Sequence, residues 1–151
     1  MRFPDTEVTS IASLIDALKR LSPLSAITWF RGQANSEWTL IPGIARNSQL
    51  VTSESTLITR FKQNATMYLV DGIPKDEWDW IFLMQHYRAP TRLLDWSESP
   101  LVALYFALVD KLQEDSDGAL WCMDPIALNR IANGTVANFE KIRIFLLRGV
   151  D

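Results

Sequence analysis

Apolar positions recur at helical spacing in several places along the chain, and short β-branched or aromatic runs lie between them. Ile11, Leu14, Ile15 and Leu18 follow i, i+3, i+4, i+7 behind Thr9 or Ser10 as cap, which predicts an amphipathic helix that Ser22 and Pro23 end. Ala26 to Phe30 reads as a buried strand that runs into Arg31-Gly32-Gln33 and delivers the arginine at its end. Asn35 and Ser36 suggest a turn, Trp38 to Ile41 a second short strand, and Pro42-Gly43 its stop, together a hairpin or sharp corner. Leu57, Phe61, Ala65 and Tyr68 predict a second helix over about 53–68, and Asp71-Gly72 with Pro74 separates it from a third that begins near Lys75. Trp78, Ile81, Phe82 and Gln85 share one face of that third helix, which must stop before Pro90, because proline disfavours the α conformation at Ala89.

Thr91 to Asp95 then reads as a strand, with Ser99 as N-cap and Pro100 at the first position of the next helix. That helix runs to about Asp110. Because Leu101 to Leu108 has almost no polar break, it is expected to be buried on most sides. Gln113 to Gly118 is a polar loop and Ala119 to Met123 a strand. Asp124-Pro125 opens a short helix closed by Asn133-Gly134, and Ile142 to Leu147 is a last strand. The sum is an α+β fold in which short mixed strands pack against three or four helices. No repeat or low-complexity linker divides the 151 residues, so a single domain is expected. An apolar strand followed only by Arg148 to Asp151 reads either as an edge strand or as part of a natural domain that continues further.

Composition narrows the classes. Hydrophobic residues make up 48% of the chain, enough for a real core, and six Trp with seven Phe suggest that some aromatics line a pocket or a partner surface. A net charge of -3 argues against an unaided grip on a nucleic-acid backbone. Cys122 is the one cysteine, so there is no disulfide framework, and a reducing compartment fits. The opening residues lack a secretory pattern, and no run approaches the roughly 20 apolar residues that span a bilayer. A soluble cytoplasmic protein without membrane contact is expected.

The richest chemistry lies between Leu83 and Ala107, which holds His86, Arg92, Asp95, Ser97 and Ser99. Arg31 at a strand end either holds a phosphate or carboxylate in its planar fork, or pairs with a core acid such as Asp95. Gly32 lets a ligand or another backbone approach closely. Gln33 donates to a ligand from the turn, or is merely solvated. His86, the sole histidine, is either an acid or base or a packed helix-end group, and alone it supports no metal site. Arg92 and Asp95, three apart on a strand, face opposite ways and need separate partners. Arg92 either completes an anion pocket with Arg31 or is a surface charge, and Asp95 either works in catalysis or binds backbone amides or Arg31. Ser97 and Ser99 lie where free helix amides favour anions, although capping accounts for one of them. Trp29 and Trp96 either stack on a ring or fill the core. Ser97, His86 and Asp95 could compose a hydrolase triad, but no nucleophile-elbow glycine pattern accompanies them.

Trp29 to Gln33 (WFRGQ), the LMQHYRAPTRLLDWS segment and the ALYFA that follows resemble the FRG domain family, named for the triplet that here is Phe30, Arg31 and Gly32. The likeness spans about 28–123, and the family occurs in bacteria and their viruses without a settled reaction. The chain is also similar to ADP-ribosyltransferases of the Arg-Ser-Glu type. In those, a strand arginine anchors NAD, a Ser-Thr-Ser segment leads into a VALRFA helix, and a late glutamate completes the site. Here Arg31-Gly32, Asp95-Trp96-Ser97 and VALYFA follow in that order, with Asp95 at the first serine and Glu140 as the late glutamate. This likeness implies an NAD-binding effector of bacterial or phage defence or of a toxin system, with a protein partner or antitoxin. Arg31 and Arg92 would sit on phosphates, Trp96 and Ser97 on the nicotinamide ribose and ring, and Glu140, with Asp95 and His86, would supply catalysis. The alternative is a non-catalytic ligand-binding or protein-interaction module in which the same charges form a structural network.

Overall fold

The computed structural model describes residues 5–21, 27–69, 72–109, 116–132 and 142–147, and its contacts divide the chain into two units: Met1–Trp38 with Asp95–Asp151, and Thr39–Leu94. The fold is α+β, and no helix among the described residues is long and apolar enough to cross a membrane.

The first unit is built on a four-stranded sheet in the order β1-β4-β3-β2, made of β1 (Asp5–Val8), β2 (Trp29–Gln33), β3 (Gly118–Met123) and β4 (Ile142–Leu147). β1 runs parallel to β4, while β3 is antiparallel to both β4 and β2. The last strand is therefore internal to the sheet and not an edge, because β1 occupies its outer side. Register sets Phe30 opposite Cys122 and Gly32 opposite Leu120. The two-residue alternation of a strand then directs Phe30, Leu120 and Cys122 into one core with Val8, Leu14, Ala17, Ala103, Leu104 and Ala107.

Two helices close over that face. In α1 (Ile11–Leu21), Ser10 and Ser13 cap each other: Ser10 Oγ accepts from the Ser13 amide at 3.1 Å and Ser13 Oγ accepts from the Ser10 amide at 3.0 Å. This satisfies two amides that the first turn leaves unpaired. The helix buries Leu14 and Ala17, whereas Ile11 and Ile15 are exposed, so its core face is rotated toward the small residue and away from the isoleucines.

The expected α5 (Pro100–Leu108) is present, with Ser99 Oγ accepting from the Val102 amide at 3.4 Å and proline in the first turn. Its burial differs from expectation. Ala103, Leu104 and Ala107 are inside, while Leu101, Val102, Tyr105, Phe106 and Leu108 are exposed. One arc of Ala103, Leu104 and Ala107 faces the core, and the other apolar residues lie outside it. α6 (Pro125–Ala132) begins at Asp124, whose Oδ1 accepts from the Ala127 amide at 2.9 Å.

The second unit is helical: α2 (Ser48–Thr52), α3 (Glu54–Ala65) and α4 (Glu77–His86), with 3-10 turns at Gly43–Arg46 and Thr66–Tyr68. Ile58, Ile81 and Met84 form its core with Leu57, Phe61, Ala89 and Leu93 packed around them. The inner face of α4 is Trp80, Ile81 and Met84; of the residues expected to share a face Ile81 is buried and Gln85 partly so, while Trp78 and Phe82 are more than half exposed. The two expected strands at Trp38–Ile41 and Thr91–Asp95 are absent, and the polar groups of both stretches are engaged in turns, side-chain bonds and a loop contact instead. Asn35 Oδ1 accepts from the Glu37 amide at 2.8 Å, and the Ile41 amide donates to the Thr39 carbonyl at 2.8 Å. Thr91 Oγ1 donates to Gln85 Oε1 and accepts from the Leu93 amide, while the Thr91 carbonyl accepts from the Ile44 amide at 3.1 Å.

α4 ends in a Schellman closure. The Ala89 amide reaches back to the Met84 carbonyl at 2.9 Å and the Arg88 amide to the Gln85 carbonyl at 3.0 Å, with Arg88 at φ 59°. A left-handed residue thus stops the helix before proline is reached.

Candidate functional site

Arg31 is the middle residue of β2 rather than its end, directly opposite Trp121 on β3. Its Nη1 donates to the main-chain carbonyl of Asp95 at 2.7 Å. Beside it, Phe30 and Ser97 exchange both backbone hydrogen bonds, amide to carbonyl at 2.7 Å and 2.8 Å. The Asp95-Trp96-Ser97 segment therefore lies along the outer edge of β2 as a one-residue bridge. Covering an edge in this way removes the unpaired backbone groups that edge would otherwise present.

Ser97 turns its side chain to the chain ahead: its Oγ accepts from the Ser99 amide at 3.0 Å, and Ser99 in turn caps α5. Both serines thus serve the helix start. Trp96 is half-buried and Asp95 is exposed, and the Asp95 carbonyl accepts from Arg31.

On the side where a Cβ would stand, the space at Gly32 is filled by the protein itself. A Cβ built there would stand 1.8 Å from the Ala103 carbonyl oxygen and 2.7 Å from the Ala107 amide nitrogen, so the missing side chain is the space that α5 occupies. The second backbone anticipated from sequence is this helix. Gln33 lies in the strand and not in a turn; it is 5% exposed and accepts from the indole Nε1 of Trp121 at 2.6 Å. Trp121 was not singled out from sequence. Its position opposite Arg31 follows from the register of two strands 88 residues apart at this bond, which no local pattern encodes.

Arg92 and His86 belong to the second unit. Arg92 holds Glu54 through two contacts, Nε to Oε1 at 2.7 Å and Nη2 to Oε2 at 2.5 Å. Hydrogen bonding to Glu54, then its charge, raises the guanidinium above its ordinary range. The forked geometry is the one guanidinium offers to a carboxylate or a phosphate. Glu54 was readable only as an acid in a helix first turn, where it suits the helix dipole without any arginine. His86 closes α4, is exposed, and meets Tyr87 edge to face at 5.2 Å. It borders an open hollow of about 680 Å³ with Pro74, Lys75, Asp79 and Phe82 among the lining.

Among the sequence candidates, then, Arg31, Gly32, Gln33, Asp95, Trp96 and Ser97 gather at β2 and the head of α5, whereas His86 and Arg92 are placed by the helical unit. Glu140 lies outside the described residues. Cys122 is a core residue 3% exposed, and burial pushes its thiol well above the ordinary range. Among the described residues no grouping of His, Cys, Asp or Glu could hold a metal ion.

An Arg-Gly strand braced by a polar turn that starts a helix defines a domain organised around its Phe-Arg-Gly triplet. Residues 26–116 match the FRG domain, more than half of the chain, and the protein belongs to the FRG domain family. Comparison with curated proteins and with solved structures gave no match.

Proposed function

We propose that this FRG domain is a non-catalytic binding module whose motif residues are a framework. What supports this reading is that Arg31, Gly32, Gln33 and Arg92 already have internal tasks. Arg31 ties β2 to the Asp95 carbonyl, Gly32 admits α5, and Gln33 joins β2 to β3. Arg92 is engaged by Glu54. A guanidinium spent on the protein's own acceptors is a positioning group before it is a ligand group.

A second reading rests on a different observation, the paired backbone of Phe30 and Ser97. That pairing sets the Arg-Gly strand beside the polar segment that starts α5, the arrangement an NAD-binding, ADP-ribosyltransferase-like effector of a defence or toxin system would use. In it Arg31 would carry a phosphate and Ser97 with Trp96 the nicotinamide end, with Glu140 as the acid.

One experiment separates them. Calorimetric titration of NAD into wild type and Arg31→Ala, with nicotinamide release and thermal melts on the same samples, is expected to show no release and a lower Tm in the variant. NAD heat that vanishes in a variant melting like wild type, accompanied by nicotinamide, would overturn the framework reading in favour of the second.

A further inference from the structure

The helical unit carries a hollow that the motif does not use. We infer that this hollow, between α3, the Thr66–Tyr68 turn and Tyr87, binds a neutral, flat heteroaromatic ring of the nucleobase kind. It encloses about 300 Å³ and is lined by Phe61, Asn64, Ala65, Tyr68, Leu69 and Tyr87, all within the second unit. That volume is at the small end of small-molecule sites.

The lining selects the ligand's chemistry. Among the described residues none of the lining side chains is acidic or basic, so a charged group would find no opposite charge among them. Lys62, next to Phe61 in sequence, is held over the Trp80 ring at 5.6 Å from its centroid. Half of the six lining residues are aromatic, which provides ring faces against which a flat molecule stacks. Phe61 is held in place: it meets Trp80 edge to face at 6.4 Å and 83°, and Trp80 is buried. On its other contact it is tilted 46° from Tyr87 at 6.4 Å. Tyr68 and Tyr87 are 79% and 64% exposed, so their rings remain accessible to an incoming ring. Asn64 supplies the one side-chain amide, which offers a donor and an acceptor together, the pairing that a base edge complements. An aliphatic molecule would fill the volume and use neither the rings nor the amide.

The site stands independently of what Arg31 binds. Its test is ligand-observed NMR on the full chain with adenosine as probe and cyclohexanol as the aliphatic comparison, using wild type, Tyr68→Ala, Asn64→Leu and Arg31→Ala. Tyr68 and Asn64 are exposed, so thermal melts of their variants are expected to match wild type. Adenosine is expected to bind, to weaken about tenfold in Tyr68→Ala and Asn64→Leu, and to bind about tenfold more tightly than cyclohexanol. The proposal is overturned by absent adenosine binding at millimolar concentration, by equal binding in wild type and Tyr68→Ala, or by cyclohexanol matching adenosine. Adenosine binding lost in Arg31→Ala alone would place the ligand at the motif and overturn it equally.

Discussion

Gln33 Oε1 accepts a hydrogen bond from Trp121 Nε1 at 2.6 Å, and the two side chains are 5% and 9% exposed. Neither can turn to bulk solvent if the other is removed. Gln33→Leu is therefore expected to leave an indole N–H buried without its acceptor, at a cost of about 1–3 kcal/mol. Adding Trp121→Phe removes the orphaned donor, so the double variant should lose less than the sum of the singles. Urea denaturation of the four-member cycle measures the coupling, and strictly additive losses would show that the bond holds nothing.

At Gly32 a methyl group meets backbone rather than a yielding side chain. Gly32→Ala is expected to destabilise by about 3 kcal/mol or more, since β2 and α5 must separate for it to fit. Shortening the helix residue does not help, because the clash is with the Ala103 carbonyl oxygen; Gly32→Ala combined with Ala103→Gly should melt no higher than Gly32→Ala alone. A rescue in that double variant would locate the conflict elsewhere.

Arg88 stands at φ 59°, a conformation that L-residues other than Asn and Asp rarely adopt. Glycine adopts it freely, so Arg88→Gly should raise stability by about 1 kcal/mol. Thermal melts read this directly. A lower Tm in the glycine variant would mean that the arginine side chain contributes more than its backbone strain removes.

Cys122 gives a pH dependence with a definite sign. Burial raises its folded pKa, so the folded thiol keeps its proton where the unfolded thiol gives it up. The stability tied to this group is complete below the unfolded value and declines above it, by up to about 1.4 kcal/mol per pH unit. Denaturant midpoints of wild type measured on either side of the ordinary thiol range should fall with rising pH, and Cys122→Ala should show a shallower fall. Parallel slopes would remove the thiol as the cause.

The helices were largely legible from sequence because their signals are local. Ser99 with Pro100 marks the start of α5 within one turn, and the helix at 54–65 announces itself in the spacing of Leu57 and Phe61. Which face each helix buries was less legible. Of the apolar stripe expected in α1, Leu14 is buried and Leu18 packs against the core, while Ile11 and Ile15 are exposed and Ala17 is buried in their place. Strands fared worst, since their stability comes from neighbours distant in sequence. Asp5–Val8 has no apolar alternation and exists through β4. Thr91–Asp95 has the composition of a strand, but its hydrogen bonds are taken by Gln85, Ile44 and Thr91 itself. The candidate site shows the same limit. Arg31 was expected beside Asp95, and it does meet that residue, but the bond from its Nη1 to the main-chain carbonyl is a contact that residue identity does not encode.

The parallel pairing of β1 with β4 sets Asp5 across from Ile144. A chain leaving the ribosome can join β2 to β3 well before β4 exists, and during that interval the far side of β3 has no strand to complete it. The longest loop the sheet closes is the one between β1 and β4, and β1 cannot pair until β4 is present. The vulnerable interval in this protein's life is thus the one before β4 pairs, when an open β3 rim is available to another nascent copy.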